Sequence, residues 1–393
     1  MSSTHISAQG APPAAVRVMI VDDSALMRKL LTQVLERDAC IKVVDTAMDG
    51  QFALDHLKKV RPDVVLMDVD MPRLDGLGAL DQIVAEYRLP VVMCSTRTTA
   101  GAAATLEALS RGAVDFVEKP SLSALTTGAA TAEIAARVRG AVGARVRPST
   151  ARKNPAEPAA AGRPVSPGGV QPSSSTAAGA AHAGTPGWQK KAAQLAARAK
   201  PEIVAIGTST GGPPALEQVL GGLPADYPYG IVIVQHMPAG FTAMLASHLD
   251  RTSRLTVREA RHGEEIRPGV ALVAPGGTHL RVERSGGGGY TVSLDATRPL
   301  VSGHRPSVDV LFESVAAAAG GRAVGVVMTG MGSDGAEGLG RLTSAGAVTV
   351  AQTPDSSICF GMPKSAIDRG HAALVVPLEE IAQTLIQCIP HAN

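Results

Sequence analysis

The sequence predicts a two-domain α/β protein built on parallel sheets. Three observations carry that prediction. Short apolar runs of strand length alternate with segments of helical periodicity on both sides of a seam. The seam, residues 148–187, is crowded with Ala, Pro, Ser and Gly and contains no Leu, Ile, Met, Phe, Tyr or Trp. Polar side chains gather at the carboxyl ends of the apolar runs, the edge at which open α/β sheets bind their ligands.

The first domain is expected over residues 16–140. Its strand candidates are 16–21, 41–47, 64–67, 91–94 and 114–117. Between the first two, Met27, Leu30, Leu31 and Val34 follow the i, i+3, i+4, i+7 spacing of a buried helix face. Residues 141–199 read as a linker, because 148–187 lacks the apolar area to offset its ordering entropy. It ends in a short basic helix at 188–200, whose Lys190, Lys191, Arg198 and Lys200 read as a solvated face. The second domain, 200–389, has strand candidates at 203–206, 231–234, 270–273, 324–328 and 348–351. Val308, Leu311, Phe312 and Val315 mark a covering helix, and the runs 279–283 and 290–294 around Gly286 to Gly289 predict an antiparallel hairpin.

Composition narrows the function. A chain of 393 residues is too long for one typical domain. Its 45% hydrophobic content supports real cores, and 3% aromatic content means they are built of Val, Leu, Ile and Ala. A net charge of +2 argues against a dedicated nucleic-acid binder. The four cysteines form no Cys-x-x-Cys pair, so neither a disulfide scaffold nor a zinc site is expected. Residues 1–15 lack a basic start and an apolar stretch, and no run is long enough to span a bilayer. A cytoplasmic protein with no direct membrane insertion is the expectation.

In the first domain, Asp22 and Asp23 end the first strand and Asp68 the third. Ser95 follows the fourth, and Lys119-Pro120 the fifth. Carboxylates packed together repel unless a cation joins them, and hard oxygens suit Mg²⁺. A lysine and a hydroxyl nearby suit a phosphoryl group. The competing reading makes each acid a helix cap, as Asp23-Ser24 suggests.

These residues resemble the response-regulator receiver domain. The matching pieces are Val-Asp-Asp-Ser-Ala-Leu-Met-Arg (21–28), Leu-Met-Asp-Val-Asp-Met-Pro (66–72), Asp75-Gly76, Ser95 and Phe-Val-Glu-Lys-Pro (116–120). The resemblance implies a flavodoxin-like five-stranded parallel sheet and phosphorylation of Asp68 by a sensor histidine kinase. It implies Mg²⁺ held by Asp23, Asp68 and the backbone carbonyl of Asp70, assisted by Asp22. Lys119 and Ser95 would contact the phosphoryl oxygens, and Phe116 would change rotamer with Ser95.

The second domain opens on Gly207-Thr208-Ser209-Thr210-Gly211-Gly212, an apolar strand running through a glycine-flanked turn into a helix. Such a turn can present a nucleophilic serine, or cradle a phosphate as a binding module would. His236, in Gln-His-Met-Pro (235–238), and Asp334, in Met-Thr-Gly-Met-Gly-Ser-Asp-Gly (328–335), lie beyond two other strands. Ser209, His236 and Asp334 could converge on one sheet edge as nucleophile, base and orienting acid. Asp334 has a competing reading, a capping box with Glu337, and His304 competes with His236 as the base. There is no His-Glu-x-x-His zinc motif.

Here the sequence resembles the methylesterase domain of the chemotaxis CheB family. The pieces are Ala-Ile-Gly-Thr-Ser-Thr-Gly-Gly (205–212), Gln-His-Met-Pro, Ala274-Pro275-Gly276, His-Arg-Pro-Ser-Val-Asp-Val-Leu-Phe (304–312), Met-Thr-Gly-Met-Gly-Ser-Asp-Gly-Ala (328–336) and Phe-Gly-Met-Pro (360–363). The resemblance implies hydrolysis of glutamate γ-methyl esters and deamidation of glutamines on methyl-accepting chemotaxis receptors. Ser209 would be the nucleophile, His236 the base and then acid, and Asp334 the orienting carboxylate, with no cofactor for the esterase step. His304 falls outside that triad. Thr210, Gly211, Gly212, Met331 and Gly332 are candidates for the oxyanion donors. Gly211, Gly212, Gly330 and Gly332 are expected to keep the rim low for a receptor helix. A transcription factor, the usual alternative for a receiver-bearing chain, needs a helix-turn-helix, and the strand-rich second half offers none.

Overall fold

The computed structural model describes residues 15–96, 98–120, 129–146 and 187–389. The linker expectation for 148–187 therefore lies outside the described residues except at Gly187, as does the terminal reading of residues 1–15 except at Ala15.

The first half runs β1 (Val16–Val21), α1 (Ala25–Leu35), β2 (Ile41–Ala47), α2 (Gly50–Val60), β3 (Val64–Asp68), α3 (Gly76–Gln82), β4 (Val91–Ser95), α4 (Thr99–Arg111), β5 (Asp115–Glu118) and α5 (Ala129–Ala141). A π-helical turn, Ile83–Tyr87, extends α3. The strands form one parallel sheet in the order β2-β1-β3-β4-β5. Every residue of β3 and β4 is buried, as a sheet covered on both faces requires. Ser24, Asp49, Asp75 and Thr98 cap the helices α1 to α4, each accepting a backbone N–H of the first turn. Order reverses beside β1, so the crevice lies where Asp22, Asp23 and Asp68 emerge.

The second half runs α6 (Gly187–Ala199), β6 (Ile203–Thr208), α7 (Gly212–Gly221), β7 (Gly230–Gln235), α8 (Phe241–Thr252), β8 (Thr256–Glu259), β9 (Glu265–Ile266), β10 (Val270–Val273), β11 (His279–Ser285) and β12 (Gly289–Asp295). It continues through α9 (Val308–Ala319), β13 (Ala323–Val327), α10 (Ala336–Ser344), β14 (Val348–Gln352), α11 (Met362–Asp368), β15 (Leu374–Val376) and α12 (Leu378–Gln387). Seven parallel strands follow the order β15-β14-β13-β6-β7-β10-β8. The β11–β12 hairpin pairs with β9 in a separate antiparallel sheet. The expected fold class is observed in both halves. Sequence periodicity missed β8, β9 and β15, which are short, lie at sheet edges and bury only alternate residues. Strand order reverses on either side of β6, which places the carboxyl ends of β6, β7 and β13 around one crevice.

Candidate active site

The turn from β6 into α7 carries Ser209, and neighbouring strand ends hold it. Gly211 is the left-handed residue, with φ 75°, so the glycine and not the serine absorbs the sharp bend. The Gly212 N–H closes the turn on the Ser209 carbonyl at 2.8 Å. Ser209 N–H donates to the Thr329 carbonyl at 3.0 Å, just past β13. Gln235, the last residue of β7, donates from Nε2 to the Ser209 carbonyl at 2.9 Å and accepts from the Thr208 hydroxyl at 2.5 Å. Gln235 and Thr329 were not read from the sequence as site residues. Their signal was adjacency to His236 and membership of the Met-Thr-Gly-Met motif.

His236 follows β7 directly, and its Nε2 lies 2.7 Å from Asp334 Oδ2, both side chains buried. A carboxylate only accepts, so Nε2 carries the proton and Nδ1 is the basic nitrogen. Nδ1 is buried and has no hydrogen-bond partner. The two nitrogens thus exchange the roles they take in serine proteases. Asp334 also accepts from Ser307 Oγ at 2.8 Å and from the N–H groups of Val308 at 2.7 Å and Asp309 at 3.1 Å. Burial alone would raise its pKa. His236, Val308 N–H and Ser307 outweigh burial and hold the carboxyl far below the usual range.

The capping-box reading of Asp334 is corrected by this geometry. The N-cap of α10 is Gly335, with no side-chain cap, and Asp334 instead binds the first N–H groups of α9. A helix N-terminus from another part of the chain therefore anchors the acid. Asp309, unnoticed in the sequence, sits beside it. Burial, with the charge of Asp334 also acting upward, pushes its carboxyl up to about 6 against the pull of the Gly338 N–H.

Two other expectations change. Gly212 cannot lend its N–H to an oxyanion while it closes the Ser209 turn. Gly211, Gly212 and Gly330 do not make a low rim. A Cβ would stand 2.7 Å from Ile358 at Gly211, 1.9 Å from Gln235 Oε1 at Gly212 and 2.8 Å from Ser209 Cβ at Gly330. These glycines admit interior neighbours. Only at Gly332, with φ 82°, does a Cβ meet nothing within 4 Å.

In the first half, oxygens of Asp22, Asp23 and Asp68 lie within 4.8 Å of one another. Lys119 Nζ lies 2.6 Å from Asp68 Oδ2 and 3.0 Å from Asp22 Oδ2. Burial pushes Asp68 up to about 6 although Lys119 pulls the other way. The buried Asp22 Oδ2 has no partner beyond that lysine contact, so three carboxylates face one ammonium. This all-oxygen, net-negative set fits a divalent cation such as Mg²⁺. Ser95 Oγ donates to the Gly101 carbonyl at 2.9 Å, and Asp70 is exposed.

The two halves meet over the Ser209 edge. Thr210 Oγ1 donates to Asp115 Oδ2 at 2.5 Å, and Arg137 of α5 pairs with Asp115 Oδ1 at 2.8 Å. Phe116 stacks on Phe241 of α8 with centroids 4.8 Å apart. Leu106 and Leu109 of α4 join one buried cluster with Leu216, Met237 and Phe241. Gly140 of α5 lies against Met331, and Arg145 pairs with Asp355 at 2.9 Å. Asp115 went unread because its bond to Thr210 exists only across the two halves, and Arg137 because it serves Asp115 from another element of the same half.

An acidic phosphoacceptor-type domain docked on a doubly wound domain with a buried His–Asp pair beside a serine turn defines a receiver-bearing hydrolase. Residues 204–385 match the CheB methylesterase model, and residues 18–129 match the response regulator receiver domain. The chain is 44% identical over 375 residues to a protein-glutamate methylesterase/protein-glutamine glutaminase of Symbiobacterium thermophilum, covering 95% of this chain and 97% of the relative. It is also 44% identical to one from Pseudomonas savastanoi pv. phaseolicola, covering 95% of this chain and 99% of that one. The crystal structure of the Thermotoga maritima CheB methylesterase catalytic domain aligns at 41% identity and TM-score 0.46, over 48% of this chain and 98% of that one. The chain belongs to the CheB methylesterase family, as an enzyme with a receiver domain. The phosphate-cradling binding module is thereby set aside.

Proposed function

We propose that the chain is a phosphorylation-activated hydrolase that demethylates glutamate γ-methyl esters and deamidates glutamines on chemotaxis receptors. The observation that carries the triad reading is the buried His236–Asp334 pair with its unpartnered Nδ1, on a segment that bonds to the Ser209 turn through His236 N–H to Thr208 and Gln235 Nε2 to Ser209. His236 Nδ1 takes the Ser209 proton as Oγ attacks the ester carbon. Asp334 keeps the proton on Nε2 and stabilises the imidazolium. Backbone N–H groups among Thr210, Gly211, Met331 and Gly332 bind the oxyanion, each contributing about 2.7–4 kcal/mol in the transition state. His236 returns the proton to the departing methanol, or to ammonia from a glutamine. It then activates water against the acyl-enzyme.

Asp68 is the phosphoacceptor in this reading, with a sensor histidine kinase as donor in the cytoplasm. Asp22, Asp23, Asp68 and the carbonyl of Asp70 would hold Mg²⁺, which supplies charge neutralisation for phosphoryl transfer. Lys119 and, after rotation from Gly101, Ser95 contact the phosphoryl group. The unphosphorylated receiver restrains the enzyme by covering Thr210 and Met331. A tenfold gate requires only about 1.4 kcal/mol.

The test is methanol release from methylated receptor membranes with and without a small phosphodonor. Ser209→Ala should lower turnover by roughly 10⁴-fold or more with the fold intact. Asp68→Asn should abolish stimulation by the phosphodonor while leaving unstimulated turnover. Retained hydrolysis in Ser209→Ala would refute the nucleophile assignment.

A further inference from the structure

His304 belongs to no step of the mechanism above, yet it touches the base. Its ring stacks on that of His236, with centroids 3.7 Å apart and planes 10° from parallel. The segment that carries it is tightly built. Val301 and His304 exchange both backbone hydrogen bonds, at 3.1 and 2.9 Å, across Ser302 and Gly303, which both have positive φ. That is a two-residue reverse turn of the hairpin type. The next residue, Arg305, donates to the carbonyls of Ala296 at 2.7 Å and Arg298 at 3.1 Å, and its own carbonyl accepts from Gly277 N–H. Ser307, Val308 and Asp309 then bind Asp334.

We propose that His304 is a positioning residue for the esterase reaction, a neutral aromatic plate that fixes the ring plane of His236. This rests on the triad reading given above. Asp334 holds the base at one edge, through Nε2. One hydrogen bond leaves the imidazole free to rock about that bond, and rocking would carry Nδ1 away from Ser209. Packing on the flat face removes that freedom. Residues 304–309 thus hold base and acid as one unit, the plate at one end and the helix N-terminus at the other.

The same geometry argues against His304 as the base. The orienting carboxylate is bonded to His236 and not to His304. The groups facing His304 are His236, Asp334 and Arg137. Burial, reinforced by His236, pushes its pKa down to about 3 in the docked chain. A protonated His304 at that distance would oppose the charge the reaction must create.

The experiment uses the full chain with Mg²⁺ and a small phosphodonor, and measures kcat and KM for methanol release together with thermal midpoints. His304→Ala is expected to lower kcat by about 100-fold with KM little changed, the scale of a misplaced catalytic group. His304→Phe keeps a flat ring without a titratable nitrogen and is expected to hold kcat within about tenfold of wild type. A loss smaller than about threefold in folded His304→Ala overturns the proposal. A folded His304→Phe as inactive as Ser209→Ala also overturns it and makes His304 a proton carrier. Should His304→Ala fail to fold, His304→Leu, which fills the space without a flat ring, takes its place under the same limit of about threefold. Ser209→Ala is the separate control: if it stays active the triad reading fails, whatever His304 does.

Discussion

At Asp334 the carboxyl and the helix it serves are far apart in sequence. Local pattern reads Asp-Gly-Ala-Glu as a cap for the helix that follows, but the side chain points to the start of α9, where it meets three donors. The neighbouring Asp309 is left with a buried carboxyl whose pKa is pushed up to about 6. The two acids act oppositely on stability. Asp334 contributes stability above the usual carboxylate range, and that is lost as pH falls toward its depressed folded value. Asp309 contributes most below that range, and its share is lost as pH rises through about 6. Asp309→Asn keeps an acceptor for Gly338 N–H and removes the charge. It should stabilise the catalytic half at pH 8, by at most about 3 kcal/mol, and the gain should vanish below pH ~4. Thermal unfolding across that range is the measurement, and an equal gain at both ends would contradict the assignment. Asp309 was illegible in the sequence because it falls on the apolar stripe of α9, among Val308, Leu311 and Phe312. The N–H that its carboxylate accepts, that of Gly338, belongs to α10.

At the scale of elements, β5 connects the two sites. Four residues long, it begins with Asp115, which grips Thr210 and Arg137, and leads into Lys119, which grips Asp68. Phe116 lies between them and stacks on α8. A change at Asp68 therefore needs to move only this short strand to loosen the contact beside Ser209. Asp115→Ala should raise methanol release by the unphosphorylated chain about 10- to 150-fold, the equivalent of roughly 1.5–3 kcal/mol for a charged hydrogen bond. Unchanged basal turnover would show that apolar packing and the Arg145–Asp355 pair hold the domains without Asp115. The sequence marked β5 one residue early, read Lys119 from its place at the strand end, and read Phe116 from the receiver resemblance. Asp115 carried no pattern of its own, since its partners lie in other elements.

At the scale of the whole molecule, the receiver is set against the catalytic edge rather than beside it. Thr210 and Met331 both face the other half, through Asp115 and Gly140. A catalytic segment beginning at residue 200 should therefore turn over receptor esters faster than the unphosphorylated full chain, by about tenfold or more if docking is worth 1.4 kcal/mol. Equal rates would remove occlusion as the means of control. This segment would lose α6, whose Ala192, Ala196 and Ala199 are buried, so a companion segment beginning at residue 187 should be compared in parallel.

The sequence by itself determined the fold class and the residue types at each strand end. β-branched runs and helical stripes are local patterns, and in a parallel sheet they alone fix which end of each strand carries a loop. Its motifs also determined the family. The tertiary structure decided which loops share a crevice, because strand order around β6 and β1 is set by packing between distant segments. It also decided which acid served which helix, which glycines face inward, and which histidine is bonded to Asp334. The opening ambiguity of the Ser209 turn is of that kind: its glycines suit either a phosphate or a nucleophile. What distinguishes them is the company brought to it: His236 and Asp334 were legible at the ends of their strands, whereas the start of α9, which holds Asp334, is encoded by no local pattern.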